Sequence, residues 1–286
     1  MPVANLRGAV VAAEELLCDL DIVHLPVDVF AVAEKLGVEV IEKPDISAGV
    51  SGALIKVGNN FAIAYATHIG STGFQRFSIG HELGHLCIAG HADALLPEGK
   101  AMHESRAGYR TENRYEREAD EFSANLLMPK NLFRKSMAAS GDGLAAIINL
   151  SELCQTSILA TAIRYVKLSS EAIAIVVSEG QSICYAFLSN ELKEFKNLQW
   201  PSPGTPLPSV PTSDFNKERE NVVQRLRGEY ETPMQDWFGG RHSAALIEEV
   251  IGLGKYGRTL TVLTSDLFYE DDDNDQELED SWTPRL

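Results

Sequence analysis

Apolar residues recur at steps of three and four over residues 4–17 and again over residues 28–36, where Gly37 closes the run. That is the period of a helix with one buried face. The period then changes. Residues 38–42, 53–56 and 61–65 are short runs of β-branched, aromatic and small apolar residues, and Val57-Gly58-Asn59-Asn60 between the last two is a turn sequence. Three strands, two of them a hairpin, are expected. Residues 76–88 return to helical composition without a proline. Residues 113–128 do the same, with Phe122, Leu126 and Leu127 on one side and Pro129 as the stop. Residues 145–168 hold two helical stretches separated near Gln155-Thr156-Ser157. Further on, residues 172–177 and 183–187 predict a hairpin around Glu179-Gly180-Gln181-Ser182. A proline-rich connector over 201–211, helices over 214–227 and 244–251, and a strand over 259–264 complete the pattern. This order predicts an α+β protein: a domain over residues 1–168, a smaller α+β module over 169–268, and a tail over 269–286.

Charge sharpens the picture at that end. The formal balance is 25 − 41 = −16, and part of the excess sits in Glu270-Asp271-Asp272-Asp273-Asn274-Asp275-Gln276-Glu277-Leu278-Glu279-Asp280. Like charges at that density repel, which predicts a disordered acidic tail; the glycine and ligand spacing of a calcium loop are missing. So acidic a chain is not expected to grip nucleic acid through phosphate contacts. The stretch over 145–168 superficially resembles a helix-turn-helix, but Arg164 and Lys167 are its only cations, so it is expected to pack on the first domain. No apolar run approaches the roughly eighteen residues of a membrane span, and no signal peptide is visible. Cys18, Cys87, Cys154 and Cys184 are scattered without a C-x-x-C, as in a reduced, cytoplasmic protein. Partner and oligomeric state are not set by composition.

The chemistry concentrates in Phe77-Ser78-Ile79-Gly80-His81-Glu82-Leu83-Gly84-His85. Histidines four apart on a helix lie about 5–6 Å from each other at Cβ and point the same way, so His81 and His85 can reach one ion. Glu82 then lies beside the metal, where it can take a proton from water. This is the H-E-x-x-H pattern of zinc peptidases. Chance occurrence of two histidines on a helix is the competing reading, because the pattern fixes only three positions. Catalytic zinc needs a third protein ligand. Glu116 and Asp120, four apart on the next helix, share a face; Glu116 is expected to complete the set and Asp120 to orient one ligand histidine through its second ring nitrogen. Glu118 is the competing ligand; otherwise it and Glu121 read as a solvated acidic face. Zinc is favoured over manganese or iron by this ligand set. His103, Tyr109 and Tyr115 are candidate donors to a developing oxyanion. His91 reads as exposed surface and Cys87 as core, while His24, His68 and His242 have no partners by spacing. Phe61 to Tyr65 is the first candidate for a sheet edge that could hold a peptide as an added strand.

These segments resemble the ImmA/IrrE family of metallo-endopeptidases. The likeness rests on Arg76-Phe77, His81 to His85, Glu116, Ala119-Asp120 and Phe122 through Pro129. Weaker likeness extends to Leu25-Pro26-Val27-Asp28 and to Lys255-Tyr256-Gly257-Arg258-Thr259-Leu260-Thr261. The chain departs at Gly80 and Ser123, where alanine is common, and at Asp120, usually asparagine. The resemblance implies a zincin-like peptidase domain, with Zn²⁺ on His81, His85 and Glu116 and Glu82 as the base. It also implies limited cleavage of a helix-turn-helix repressor in stress, mobile-element or toxin–antitoxin regulation. A metal-stabilised regulatory module that binds a repressor complex without cutting is the alternative, and a zinc hydrolase acting on something other than peptides is a third.

Overall fold

A computed structural model describes residues 3–44, 49–106, 113–240 and 244–265. The acidic run over 270–280, Tyr109 and His242 lie outside them. The chain divides into two compact units, Met1–Ser140 with Ile148–Thr161, and Gly141–Ile147 with Ala162–Leu286.

In the first unit, α1 (Leu6–Asp19) starts at Asn5, whose side chain accepts the Gly8 N–H, and α2 (Val29–Lys35) starts at Asp28, which accepts from Phe30 and Ala31. Such short polar side chains satisfy the donors that a helix start leaves open. Strands β1 (Glu39–Lys43), β2 (Val50–Val57) and β3 (Asn60–Ala66) follow, then α3 (Thr72–Cys87), α4 (His91–Leu95), β4 (Met102–Arg106), α5 (Arg114–Leu127) and α6 (Lys130–Met137). The sheet order is β1-β3-β2-β4. It corrects the expected edge: β3 lies inside, paired in parallel with β1 and antiparallel with β2. The edge beside the histidine helix is β4, which pairs with β2 alone among the described strands. Sequence pattern did not reveal β4 because Met102-His103-Glu104-Ser105-Arg106 has no apolar alternation.

Helix α3 is buried from Ser78 to His85 and packs against β2, β3, α1 and α5. Its approach to α5 is close enough that a Cβ on Gly84 would sit 3.1 Å from the Phe122 ring and 3.2 Å from the Ala119 Cα. Arg76 on α3 donates to the Val27 carbonyl at 2.5 Å, tying the helix to the segment before α2. The two helices expected over 145–168 are α7 (Gly143–Cys154) and α8 (Ile158–Leu168). Arg164 is buried, so it is not a surface contact for a nucleic acid.

The second unit is built on an antiparallel sheet, order β6-β5-β9-β8-β7, from β5 (Ile173–Glu179), β6 (Ser182–Leu188), β7 (Arg227–Pro233), β8 (Ala245–Gly252) and β9 (Arg258–Thr264). Short helices α9 (Asn190–Glu194), α10 (Pro211–Lys217), α11 (Arg219–Val223) and α12 (Met234–Phe238) complete it. Two sequence expectations fail here. The stretch expected as a helix over 244–251 is instead strand β8, whose backbone pairs with β7 and β9 while Leu246, Glu248 and Val250 are buried on one face and Ile247 stays exposed; tertiary pairing overrides the helix-forming composition. The helix expected over 214–227 is broken at Glu218 and gives way to β7. No single helix among the described residues is long and apolar enough to cross a membrane.

Candidate metal centre

Helix α3 presents His81 and His85 one turn apart, and α5 presents Glu116 from its first turn. The three offer one ligand atom each, all within 4.8 Å of one another. His81 Nε2 is 3.2 Å from Glu116 Oε2, and His85 Nε2 is 3.5 Å from Glu116 Oε1. His81 donates through Nδ1 to Asp120 at 2.9 Å, which turns Nε2 toward the cluster, where it meets Glu116 Oε2. His85 Nε2 is buried with no hydrogen-bond partner. Two imidazole nitrogens and a carboxylate, converging on one point, fit a divalent ion such as zinc in their donor chemistry, the ion taking the place of the proton that His81 Nε2 shares with Glu116.

Electrostatics fit as well. Burial disfavours a charged His81 ring, but hydrogen bonds to Asp120 and Glu116 outweigh it and hold the ring well above its ordinary value. Burial would raise the Glu116 carboxyl, yet hydrogen bonds from His103 and His81, with the charge on the His81 ring, hold it far below the usual range. For His85, burial dominates and pushes the ring down to about 4, so it is neutral and able to coordinate at physiological pH. Concentrated negative charge at Glu116 is what a cation would neutralise.

Glu82 is fully buried, and neither oxygen has a hydrogen-bond partner. Burial pushes its carboxyl up to about 7, moderated by the nearby His81. Space for it is made by Gly52 on β2, where a Cβ would lie 2.8 Å from Glu82 Oε1. Ser105 Oγ, on the edge strand, is also buried outside hydrogen-bonding geometry, but lies near enough to Glu82 to offset part of that rise.

Other candidates fall in different places. His103 on β4 reaches Glu116 Oε1 at 3.0 Å. The Tyr115 hydroxyl accepts from Arg114, and its ring packs edge-on to His91 at 4.9 Å. Cys87 is half-buried and takes no part in the cluster. Two expectations are overturned. His91 is 1 % exposed rather than surface, and Glu118 is 6 % exposed rather than solvated. They bond to each other at 2.7 Å behind His85, so Glu118 is not a competing ligand. A burial signal of this kind is absent from spacing, because His91 lies beyond the end of α3.

The sequence from 33 to 173 matches the family model described as the IrrE N-terminal-like domain, Peptidase_M78. Among solved structures, a Mycobacterium tuberculosis transcriptional regulator is similar at 13 % identity with a TM-score of 0.59, covering 92 % of this chain and 77 % of that one. At that identity the likeness is one of fold. No curated protein matches the sequence.

Proposed function

As residues 33–173 form an IrrE N-terminal-like domain, we propose that the chain is a zinc-dependent endopeptidase making limited cuts in a partner protein. Glu82 carries this reading. An unpartnered buried carboxylate is costly, and one is kept beside a His-His-Glu cluster where a purely structural metal site has no use for it. His81, His85 and Glu116 would hold the ion. When bound, it supplies Lewis acidity toward a carbonyl oxygen and toward water. Glu82 accepts the proton lost by the attacking water and delivers it to the leaving amine, a role worth about 10²–10⁴-fold. A carboxyl near 7 suits a group that must both take and give a proton. His103, 3.0 Å from Glu116, would give up that bond and donate to the oxyanion in this scheme. The open edge of β4 offers backbone groups to an extended peptide, which adds as a further strand and tolerates varied side chains.

The partner in this proposal is a DNA-binding repressor of the helix-turn-helix type. It is supported by the resemblance of the two site helices to a family acting on such proteins. A net charge of −16 would also speed encounter with a basic protein. The test compares new protein N-termini in cells expressing the wild-type chain or Glu82→Gln. A cut confined to one or a few proteins and lost in the variant is expected. Identical profiles from folded, zinc-loaded proteins would overturn the peptidase reading in favour of a module that binds without cutting.

A further inference from the structure

His85 has an orienting partner of a different kind from that of His81. Its Nδ1 faces the Nδ1 of His91 at 3.2 Å. Two ring nitrogens at this distance form a hydrogen bond only if one carries the proton and the other does not. The next link decides which. His91 Nε2 lies 2.7 Å from Glu118 Oε2, and a carboxylate only accepts, so the proton of neutral His91 sits on Nε2 and its Nδ1 is bare. His85 must then carry its own proton on Nδ1. Its Nε2 is therefore unprotonated, and that is the atom 3.5 Å from Glu116 Oε1 in the cluster.

The far end of this chain is closed too. Glu118 Oε1 accepts the backbone N–H of Asn5 at 2.7 Å, so both carboxylate oxygens are committed and the group cannot turn away. Asn5 begins α1, which precedes the family-matched residues 33–173. Gly90, at φ +81°, reverses the chain after α3 and returns His91 beneath His85. The Tyr115 ring, edge-on to His91, leaves little freedom to rotate.

We infer that His91 and Glu118, closed by the Asn5 backbone, are positioning residues that fix His85 in the one tautomer able to bind a metal, so that the backbone N–H at the start of α1 takes part in setting metal affinity. The inference rests on His85 being a ligand, as proposed above. Outer partners of ligand histidines typically contribute about 10–100-fold to metal affinity.

Glu118→Gln is the sharpest perturbation, because it keeps shape but leaves one oxygen for two donors. If its amide NH₂ meets His91, that ring must move its proton to Nδ1, and His85 is driven to the Nε2–H form that cannot coordinate. Zinc affinity, measured by chelator competition on the full chain, is expected to fall about 10–100-fold. His91→Phe, which keeps the ring and loses the acceptor, should do the same. His91→Asn, which can place an oxygen where Nδ1 was, should recover most of the loss. Imidazole ¹⁵N spectra of the metal-free wild type should show His85 protonated at Nδ1 and His91 at Nε2, a signature that mere packing would not set. Unchanged zinc affinity in folded Glu118→Gln and His91→Phe, or His85 protonated at Nε2 in the metal-free wild type, would overturn the relay alone. A wild-type chain with no zinc affinity would remove the metal site and the relay together.

Discussion

Gly80 and Ser123, two of the positions where the chain departs from the family pattern, face one another. A Cβ built on Gly80 would lie 2.6 Å from Ser123 Oγ, while the serine Cβ and Cα would stand at 3.4 and 3.6 Å. The hydroxyl is held there by donating to the Phe77 carbonyl at 2.9 Å, so turning it aside gives up that bond. Gly80→Ala alone should gain about 1 kcal/mol in helix propensity and lose about 1–3 kcal/mol to overpacking, a net loss of about 0–2 kcal/mol. Ser123→Ala alone should cost about 0.5–1.5 kcal/mol for the lost hydrogen bond. In the double variant the clash disappears and the propensity gain remains, so the two nearly cancel, within about 0.5 kcal/mol of the parent. The double variant should thus be about 1–3 kcal/mol more stable than the sum of the singles. The assay is a double-mutant cycle by chemical denaturation, with hydrogen exchange of the α3 amides as a local reading. Additivity within about 0.5 kcal/mol would refute the idea that these two departures compensate each other.

Three further outcomes follow from other parts of the molecule. Asn5→Ala removes the side-chain cap of α1 but keeps the backbone N–H that reaches Glu118; it should cost about 1 kcal/mol of stability and leave zinc affinity unchanged, and a large loss of affinity would contradict the assigned roles. Burial pushes the Cys87 thiol up to about 11, so at pH 8 only about one molecule in a thousand carries the thiolate. Iodoacetamide mapped by mass spectrometry should label exposed Cys18 and spare Cys87 until the pH approaches 11. In the second unit, fully buried Glu248 accepts from the Thr212 N–H and hydroxyl at 2.6 and 2.7 Å, from Thr232 at 2.8 Å and from the Trp237 indole at 2.7 Å. Glu248→Leu strands three buried donors, the Thr212 N–H, the Thr232 hydroxyl and the Trp237 indole, while the Thr212 hydroxyl keeps Thr261 at 2.8 Å; it should destabilise this unit by at least about 3 kcal/mol, read from the tryptophan unfolding transition, and a midpoint like that of the parent would show that these bonds contribute little.

The parts of the site that were legible in sequence share one property: their geometry is fixed within a single regular element. His81 and His85 are one turn apart on α3, and Glu116 and Asp120 are one turn apart on α5, so helical spacing alone assigns their faces. The same holds for Asp28 and Gly37, which bound α2, and for the hairpin turn at Gly58. What was illegible depends on a meeting between elements. Leu246-Ile247-Glu248-Glu249-Val250 has helix-forming composition, and only flanking β7 and β9 make it a strand. That Glu248 can sit inward there rests on donors from α10, β7 and α12, which no local window contains. Edge strand β4 lacks alternation because one of its residues, His103, is committed to Glu116 and another, Ser105, is buried near Glu82.

His91 and Glu118 were misjudged for the same reason. His91 follows His85 by six positions, which is no ligand spacing on a helix, and the two meet only because Gly90 turns the chain at positive φ. Glu118 lies two residues from Glu116, so helix phase directs it away from the cluster; what it meets instead is the return of α4 and the start of α1. A polar residue on the wrong helical face for ligation therefore reads as solvated until a third element covers it. A buried carboxylate then has to be matched donor by donor, and both oxygens of Glu118 are. That complete pairing separates it from Glu82, buried still more completely on the neighbouring helix with neither oxygen paired. Of two buried glutamates, the satisfied one fits a scaffold that fixes a ligand, and the unsatisfied one fits a group kept available for proton transfer.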